Sequence, residues 1–254
     1  MQLLCTKSRE IRKKIDVNAK LLHYDRMSCE AIFPLSTTTD TSSSSFLCSA
    51  TASDLLRITE PGLNLCIWRR QIPAELDAAL HALAQTERFQ LHFAGWRAKL
   101  DVDRLLYPVV NLASDARGAW AADIAQLIAR FCQAAGCERI SVKLCTAART
   151  DCPVFHTDYV PLRLLCTYIG AGTEYLAEAD VQRVFLGHCA HCTAEEANER
   201  IMKAGATVHR MDTFAAAFCK GASWPDGRGR GLVHRSPPFM QGMTPRIKLT
   251  VDAA

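Results

Sequence analysis

The order of helical and strand-like segments predicts an α+β domain. Two helical segments come first, over residues 73–87 and 119–135, and most of the strand-like segments follow them. Helices ahead of about eight short strands are typical of a double-sheet β barrel, jelly-roll or cupin-like, with N-terminal helices buttressing it. No internal repeat is visible along the chain. We therefore expect one barrel domain rather than a repeat array.

Both helices are predicted from apolar residues at helical spacing. Pro73 suits the first position of the first helix, because its ring already holds a helical φ. The core-facing positions of that helix are Leu76, Leu80 and Leu83. The second helix has an apolar stripe at Ile124, Leu127, Ile128 and Phe131. Gly136 is expected to end it, since glycine accepts the left-handed conformation found after helices.

The strands are predicted from short β-branched, aromatic or alternating runs. These runs are 63–68, 90–93, 140–144, 155–168, 172–176, 181–186, 207–209, 213–218, 232–235 and 246–251. A short polar helix is expected over 194–204. The clearest alternation is in 246–251, where every second residue is apolar.

The first 54 residues differ in composition from the rest. A basic run with Lys13 and Lys14 at its centre is followed by the serine- and threonine-rich stretch 36–45. Such a stretch cannot bury a core. We therefore expect a flexible extension over 1–54 and the folded domain over 55–254. An organellar transit peptide is the alternative for the extension, but its acidic residues argue against one.

Composition limits the classes of function. The chain has 254 residues and a net charge of +4, which does not favour nucleic acid or an anionic membrane as partner. It contains no apolar run of about 18 residues that could span a bilayer. It also has no secretory signal at its start. Twelve cysteines are scattered without the spacing of a disulfide framework. We expect free thiols and a cytoplasmic location.

One stretch carries residues suited to a metal. In a strand, His156 and Asp158 would lie on the same face, because side chains two apart point the same way. With His234 from another strand they would form a 2-His-1-carboxylate site of the kind that binds Fe(II). A histidine in such a pattern is also often an ordinary hydrogen-bonded residue, so spacing alone leaves both interpretations open.

A cation near the metal would bind the carboxylate of a co-substrate. Arg246, at the start of the last strand, is the first candidate because its guanidinium can grip a carboxylate with two hydrogen bonds. Lys248 lies on the same face of that strand, and Arg163 lies on a neighbouring predicted strand. All three could instead belong to a solvated or salt-bridged face.

Longer motifs carry a resemblance to known families. The order His156, Asp158, His234, Arg246 resembles the 2-oxoglutarate/Fe(II) dioxygenase superfamily, which implies a double-stranded β-helix, iron and 2-oxoglutarate. The segments 68–70, 155–158, 163–174 and 231–237 are similar to the uncharacterised DUF1826 family, over roughly 55 to the C-terminus. Members of that family are often encoded near zinc-homeostasis GTPases, so the resemblance also implies zinc as a rival metal. Arg246 lies slightly farther from the distal histidine than is common in the superfamily.

Two other motifs contain residues that could bind a ligand. His188-Cys189-Ala190-His191-Cys192 could hold a soft metal such as zinc, with Cys219 or His209 completing the set, or it could be a loop with incidental affinity. The glycine-rich segment 224–231 lacks the ending of a phosphate-binding loop. Its glycines are expected to permit a lid or a close approach at the barrel mouth.

The sequence thus predicts a cytoplasmic Fe(II)- and 2-oxoglutarate-dependent oxygenase. His156, Asp158 and His234 would bind the metal, and Arg246, with Lys248 and Arg163 as alternatives, would bind the co-substrate. The substrate, small molecule or protein, and the oligomeric state stay open. The alternatives are a non-catalytic metal-binding protein in zinc homeostasis on the same fold, and a cupin-like scaffold without metal.

Overall fold

The computed structural model describes residues 45–187, 191–225 and 229–254. The helices are α1 (Ala74–Thr86), α2 (Val102–Leu106), α3 (Ser114–Ala135) and α4 (Ala194–Ile201). The strands are β1 (Phe46–Ser49), β2 (Leu65–Trp68), β3 (Gln90–Trp96), β4 (Arg139–Ala147), β5 (Leu162–Ile169), β6 (Glu174–Leu176), β7 (Val208–Arg210), β8 (Ala216–Lys220), β9 (His234–Arg235) and β10 (Arg246–Ala253). A mixed fold of helices and a large sheet, as predicted, is confirmed.

The strands form two sheets. The larger has seven strands in the order β1-β2-β8-β5-β10-β4-β3, and the smaller has three in the order β7-β6-β9. Only the β1–β2 pair is parallel among these described strands. The last strand of the chain, β10, therefore lies inside the large sheet, between β5 and β4.

Alternation along β10 separates the two faces of the large sheet. Ile247, Leu249 and Val251 are fully buried in the main apolar core. The same core contains the apolar stripes of α1 and α3, so the helices cover this face. Lys248 and Thr250 point to the other face because strand side chains alternate. A β-bulge between Ile247 and Lys248 interrupts the pairing with β5 close to Arg246.

The opposite face of the large sheet is covered by the small one. A second apolar core contains Leu65, Ala217 and Cys219 from the large sheet and Tyr175 from β6. Apolar burial on both faces explains why β8 is buried along its whole length. The space between the two sheets is where the predicted site residues converge.

A polar network attaches α3 to the large sheet. The guanidinium of Arg70 forms an ion pair with Asp123 on α3 and donates to the Phe214 carbonyl at 2.8 Å. The hydroxyl of Tyr168 on β5 donates to the same carboxylate at 2.7 Å. A carboxylate inside a core requires such partners, because an unpaired buried charge is strongly unfavourable.

Several elements differ from the sequence expectations. Residues 181–186, predicted as a strand, contain a 3₁₀ helix over Arg183–Phe185 and a single bridge from Val181 to Met202. The strand prediction for this segment was wrong because its apolar run is too short to specify a strand. β1 lies within the range assigned to the extension and pairs with β2, while residues 1–44 of that range lie outside the described residues. Helix α2 was not predicted.

The helix boundaries agree better. Gly136 has φ 60° and ends α3 in the left-handed conformation, as expected. None of the helices in the described ranges has the length and apolar character needed to cross a membrane.

Candidate metal centre

The backbone brings the two histidines of the predicted triad together. His156 lies in the connection between β4 and β5, and His234 begins β9. The two residues form a bridge in which each amide nitrogen donates to the other's carbonyl oxygen, both at 3.0 Å. Residues far apart in sequence are therefore paired directly.

Packing of their neighbours sets the direction of the two imidazoles. Phe155 and Val233 are each 1% exposed and belong to a third apolar core. Because successive side chains on an extended chain point to opposite sides, His156 and His234 turn away from that core. Their rings lie next to each other, with centroids 4.7 Å apart.

Helix α4 anchors the segment that leads into His156. The buried side chain of Asn198 accepts from the Phe155 amide at 2.8 Å and donates to the Pro153 carbonyl at 3.0 Å. Asn198 is 5% exposed, so both bonds are shielded from water. They hold the backbone of this connection, which has no strand neighbours of its own before His156.

Both imidazoles present the same nitrogen to the centre of the cluster. Nδ1 of His156 lies 2.9 Å from the Val154 carbonyl, and Nδ1 of His234 lies 3.3 Å from the Leu232 carbonyl. A carbonyl only accepts, so each Nδ1 carries a proton, and Nε2 is the nitrogen that would bind a metal after giving up any proton that it shares with Asp158. A hydrogen bond from Nδ1 to a backbone carbonyl is usual for metal-binding histidines, since it fixes the ring orientation.

Asp158 completes the cluster. Its Oδ2 lies 3.1 Å from Nε2 of His234, and its Oδ1 lies 3.6 Å from Nε2 of His156. The potential ligand atoms of the three residues all lie within 4.8 Å of one another. Two imidazoles and one carboxylate at this separation fit a divalent metal of the Fe(II) or Zn(II) type.

Two glycines allow the loop that carries Asp158 to approach its neighbours. A Cβ on Gly221 would lie 2.0 Å from the Val160 carbonyl oxygen, and one on Gly231 would lie 2.5 Å from Cγ2 of Thr157. The amide of Ala222 donates to the Asp158 carbonyl at 2.8 Å. The close approach expected of the glycine-rich segment is therefore seen at Gly231, while residues 226–228 lie outside the described ranges.

Ionisation in the cluster follows from these contacts. Burial by itself would raise the pKa of Asp158, but its contacts with His156 and His234, together with the nearby Arg163, hold that pKa well below its usual range. The neighbouring Asp158 carboxylate raises the pKa of His156, and burial opposes that shift. Asp158 is thus a carboxylate at neutral pH, as a metal ligand must be.

The three candidate cations have different surroundings. Lys248 forms an ion pair with Asp151, in the same β4–β5 connection as His156. Arg163 donates from Nε and one terminal nitrogen to Asp252 at 2.6 and 2.7 Å, and its other terminal nitrogen lies 2.5 Å from Oδ2 of Asp158. Both cations are therefore already paired with acids of the chain.

Arg246 forms no ion pair with an acid among the described residues, although the charges of Asp151 and Glu174 act on it from a longer distance. It is 4% exposed, and one terminal nitrogen donates to the hydroxyls of Thr167 and Thr173 at 3.2 and 3.4 Å. Its Nε is buried without a hydrogen-bond partner. Burial lowers the pKa of its guanidinium. An orphaned buried donor on a cation is the feature expected where a ligand carboxylate binds.

Strand register places Arg246 near the cluster. Thr173, which contacts its guanidinium, precedes β6 by one residue, and Tyr175 on β6 pairs with His234. Two residues of strand span roughly 7 Å. The contact with Thr173 therefore attaches Arg246 to the strand that pairs with His234.

Sequence reasoning missed the acidic partners Asp151 and Asp252 and the hydroxyls of Thr167 and Thr173. Asp252 follows Thr250 by two residues, so strand alternation places it on the same face as Lys248. That position was a visible signal that Asp252 could pair with a cation on this face. Nothing in the sequence pointed to Asp151 as a partner of Lys248, because that contact depends on the path of a loop.

The second predicted metal motif is only partly within the described ranges. Its residues 188–190 lie outside them, and Cys192 is disulfide-bonded. Of the residues proposed to complete it, Cys219 lies in the core between the sheets and His209 stacks on Tyr175 at 5.2 Å. The other eight described cysteines are free thiols. Among the described cysteines, the expectation of free thiols is therefore wrong only for Cys192.

Fold and site together define an α+β protein with a His-Asp-His cluster between two sheets. The chain belongs to the family described as "Protein of unknown function (DUF1826)", whose model matches residues 49–252. The search of curated proteins found no match.

Solved structures that are similar to this chain include the following three. A rice dioxygenase for auxin oxidation has 13% identity and a TM-score of 0.45, covering 82% of each chain. The auxin-oxidation dioxygenase 1 of Arabidopsis thaliana, in complex with 2-oxoglutarate, has 11% identity and a TM-score of 0.44, covering 82% of this chain and 91% of that one. A Pseudomonas putida prolyl-4-hydroxylase has 12% identity and a TM-score of 0.41, covering 79% and 97%. At these values the likeness carries no argument about activity.

Proposed function

We propose that this protein is an Fe(II)- and 2-oxoglutarate-dependent oxygenase. The observation that carries the proposal is that two features occur together. One is the cluster of His156, Asp158 and His234, and the other is Arg246, a buried cation that forms no ion pair with an acid among the described residues. A metal-binding protein needs the first feature and has no use for the second. We further propose that the two sheets are the major and minor sheets of a double-stranded β-helix, and that the protein is cytoplasmic.

Each residue has a defined role in this proposal. His156 and His234 would hold the metal through Nε2 while the carbonyls of Val154 and Leu232 fix their ring orientation. Asp158 would supply the carboxylate ligand. With Fe(II), 2-oxoglutarate and dioxygen bound, such a centre oxidises a C–H bond of a substrate.

Arg246 would bind the distal carboxylate of 2-oxoglutarate. Thr167 and Thr173 occupy one terminal nitrogen of its guanidinium, which leaves Nε for the ligand. Gly170 packs against the side chain, since a Cβ there would lie 3.0 Å from Cγ of Arg246. These contacts hold the guanidinium in place before the ligand arrives, and such preorganisation strengthens binding.

The substrate of the proposed reaction is a small molecule or a protein. The modest net charge of +4 gives no support for nucleic acid or a membrane as partner.

Anaerobic titrations test the proposal. We expect wild type to bind one Fe(II), and then to bind 2-oxoglutarate only in its presence. His234→Ala should lose at least roughly 100-fold in metal affinity, more than the loss usual for an outer-shell partner. His92→Ala is the matched control, because His92 is an exposed β3 residue that contacts Ser141 and lies outside the cluster.

Turnover is measured on the same samples by following succinate production after admission of air. If wild type retains zinc on purification and binds no 2-oxoglutarate at millimolar concentration, the oxygenase proposal fails. The non-catalytic metal-binding alternative then replaces it. If no metal binds at all, both fail.

A further inference from the structure

An unbroken line of charged contacts joins the end of the last strand to the metal-ligand carboxylate. Asp252 on β10 accepts two hydrogen bonds from Arg163 on β5, at 2.6 and 2.7 Å. The remaining terminal nitrogen of Arg163 lies 2.5 Å from Oδ2 of Asp158. The side chains of the three residues are only 16–21% exposed, so solvent screens these contacts weakly.

The strands fix this geometry. Arg163 and Asp252 are direct cross-strand partners in the β5–β10 ladder, in the middle of the large sheet. Opposite side chains in such a pair start about 5 Å apart and meet without distortion. Nε and one terminal nitrogen of Arg163 both donate to Asp252. These two bonds orient the planar guanidinium, so that its remaining nitrogen points at Asp158.

Asp158 has no comparable support of its own. It lies in the loop before β5, where the Ala222 amide fixes its backbone carbonyl but not its carboxylate. Each carboxylate oxygen faces one histidine, Oδ2 at 3.1 Å from Nε2 of His234 and Oδ1 at 3.6 Å from Nε2 of His156. Arg163 engages Oδ2 alone, so the guanidinium leaves Oδ1 as the oxygen without a cation of the chain beside it.

We propose that Arg163 and Asp252 are positioning residues that hold Asp158 as a one-oxygen metal ligand, through Oδ1. The inference rests on the proposed metal site. It also reassigns Arg163, which the sequence offered as a co-substrate anchor.

The role of Asp252 predicts the direction in which metal affinity should change. Arg163 places a positive charge beside the metal position, which disfavours a bound cation. Asp252 offsets that charge and also orients the guanidinium. Removing the negative charge of Asp252 thus leaves the charge of Arg163 without an offset and its guanidinium without orientation. Each of these two effects weakens metal binding. Changing Arg163 itself has opposing effects, since lost orientation and lost repulsion act in opposite directions.

Cobalt(II) is the probe, because it is stable in air and its visible absorption reports ligand number and geometry. We expect Asp252→Asn to weaken cobalt binding roughly tenfold, the lower end of outer-shell effects on metal sites. Asp252→Glu, which keeps the charge, should recover most of the affinity. Glu138→Gln removes one charge from an exposed ion pair with Arg97 and should leave cobalt binding within about twofold.

A double-mutant cycle separates action through Arg163 from a general charge effect. In an Arg163→Gln background, Asp252→Asn should no longer weaken cobalt binding, because the residue that it acts on is gone. Arg163→Gln alone should also change the cobalt spectrum, since Oδ2 becomes free to join Oδ1 on the metal. Melting curves of the metal-free variants check folding, and Arg163→Lys replaces Arg163→Gln if that variant is unfolded.

Three results overturn the inference. Asp252→Asn could match Glu138→Gln in affinity, it could weaken binding equally in both backgrounds, or the Arg163 variants could leave the cobalt spectrum unchanged. Each of these leaves the proposed metal site intact as long as wild type binds cobalt. If wild type binds none, the proposed function fails first and the inference fails with it.

Discussion

Two arginines on neighbouring strands, the half-buried Arg163 on β5 and the buried Arg246 on β10, have opposite electrostatic surroundings. The guanidinium of Arg163 contacts two carboxylates, and these contacts raise its pKa despite the opposing effect of burial. The guanidinium of Arg246 has two threonine hydroxyls and one orphaned nitrogen, and burial lowers its pKa. One charge is satisfied by the protein, and the other is not.

The difference separates a structural cation from a binding cation. Burying a charge without a partner is strongly unfavourable, so an arginine placed like Arg246 reduces the stability of the ligand-free protein. Arg163 avoids that cost through its own acids. A ligand carboxylate at Arg246 would supply what Asp158 and Asp252 supply at Arg163. Four predictions test this comparison, from the largest expected effect to the smallest.

Replacing the satisfied arginine should reduce stability most. Arg163→Met leaves two carboxylates, each about one-fifth exposed, without their cation. We expect the free energy of unfolding to fall by about 3 kcal/mol, the low end for breaking a buried pair because some solvent reaches it. Urea denaturation of the metal-free protein measures this. Arg97→Met, at an exposed ion pair, is the control and should cost about 0.5 kcal/mol or less. Equal losses in the two variants would refute the contrast.

Replacing the unsatisfied arginine should impair co-substrate binding. Arg246→Met removes a charge-assisted contact and should weaken 2-oxoglutarate binding by about 2 kcal/mol, roughly 30-fold. Fe(II) affinity should stay the same, because the triad is untouched. Calorimetric titration under anaerobic conditions measures both affinities. Lys248→Met is the comparison variant, since Lys248 shares the strand face but pairs with Asp151. A larger loss in Lys248→Met would make Lys248 the anchor instead.

The same Arg246→Met change should have the opposite effect on the ligand-free protein. An apolar side chain of similar length replaces a buried charge that forms no ion pair with an acid among the described residues. Unfolding free energy should rise by about 1 kcal/mol or stay constant. The measurement is the urea denaturation used for Arg163→Met. A loss as large as that of Arg163→Met would mean that Arg246 is satisfied within the protein.

The ion pair of Lys248 should give the smallest effect, and one that depends on pH. Burial alone would raise the pKa of Asp151, but the hydrogen bond and charge of Lys248 lower it. A carboxyl whose pKa is lower in the folded state stabilises the protein above its unfolded pKa. That contribution disappears as the pH falls through the folded value.

Wild type should therefore exceed Lys248→Met in unfolding free energy by about 0.5–1 kcal/mol at pH 6. The difference should shrink below about pH 4. Urea denaturation across this range measures it. A difference that is constant with pH would show that the lost contact is packing rather than charge.

Much of the fold could be predicted from local pattern. The apolar stripes of α1 and α3 and the alternation of β10 specify which faces are buried, since periodicity follows from backbone geometry. Residues 181–186 show where this fails. Their run was compatible with a strand, but Val181 forms only a single bridge and a 3₁₀ turn follows. A short apolar run does not determine its own conformation, because its neighbours decide.

The candidate site also has a part that could be predicted from the sequence and a part that could not. The spacing of His156, Asp158 and His234 left two interpretations open, and the resemblance to the 2-oxoglutarate/Fe(II) dioxygenase superfamily favoured a metal site. The structure brings the three residues together. The sequence put Arg246 first among the three cations but could not exclude the other two. Each was a basic residue on a predicted strand, and nothing local distinguishes one that faces an acid from one that does not.

The sequence by itself determined the periodic elements, the ligand types and the set of candidate cations, because these depend on residue identity and on spacing within one segment. Only the tertiary structure decided that Arg163 meets Asp158 and Asp252, that Lys248 meets Asp151, and that Arg246 meets only hydroxyls. Apart from Arg163 and Asp158, these contacts join residues far apart in sequence, with separations of 79, 89 and 97 positions. Strand register and loop path set them, and neither is encoded in any one segment of the chain.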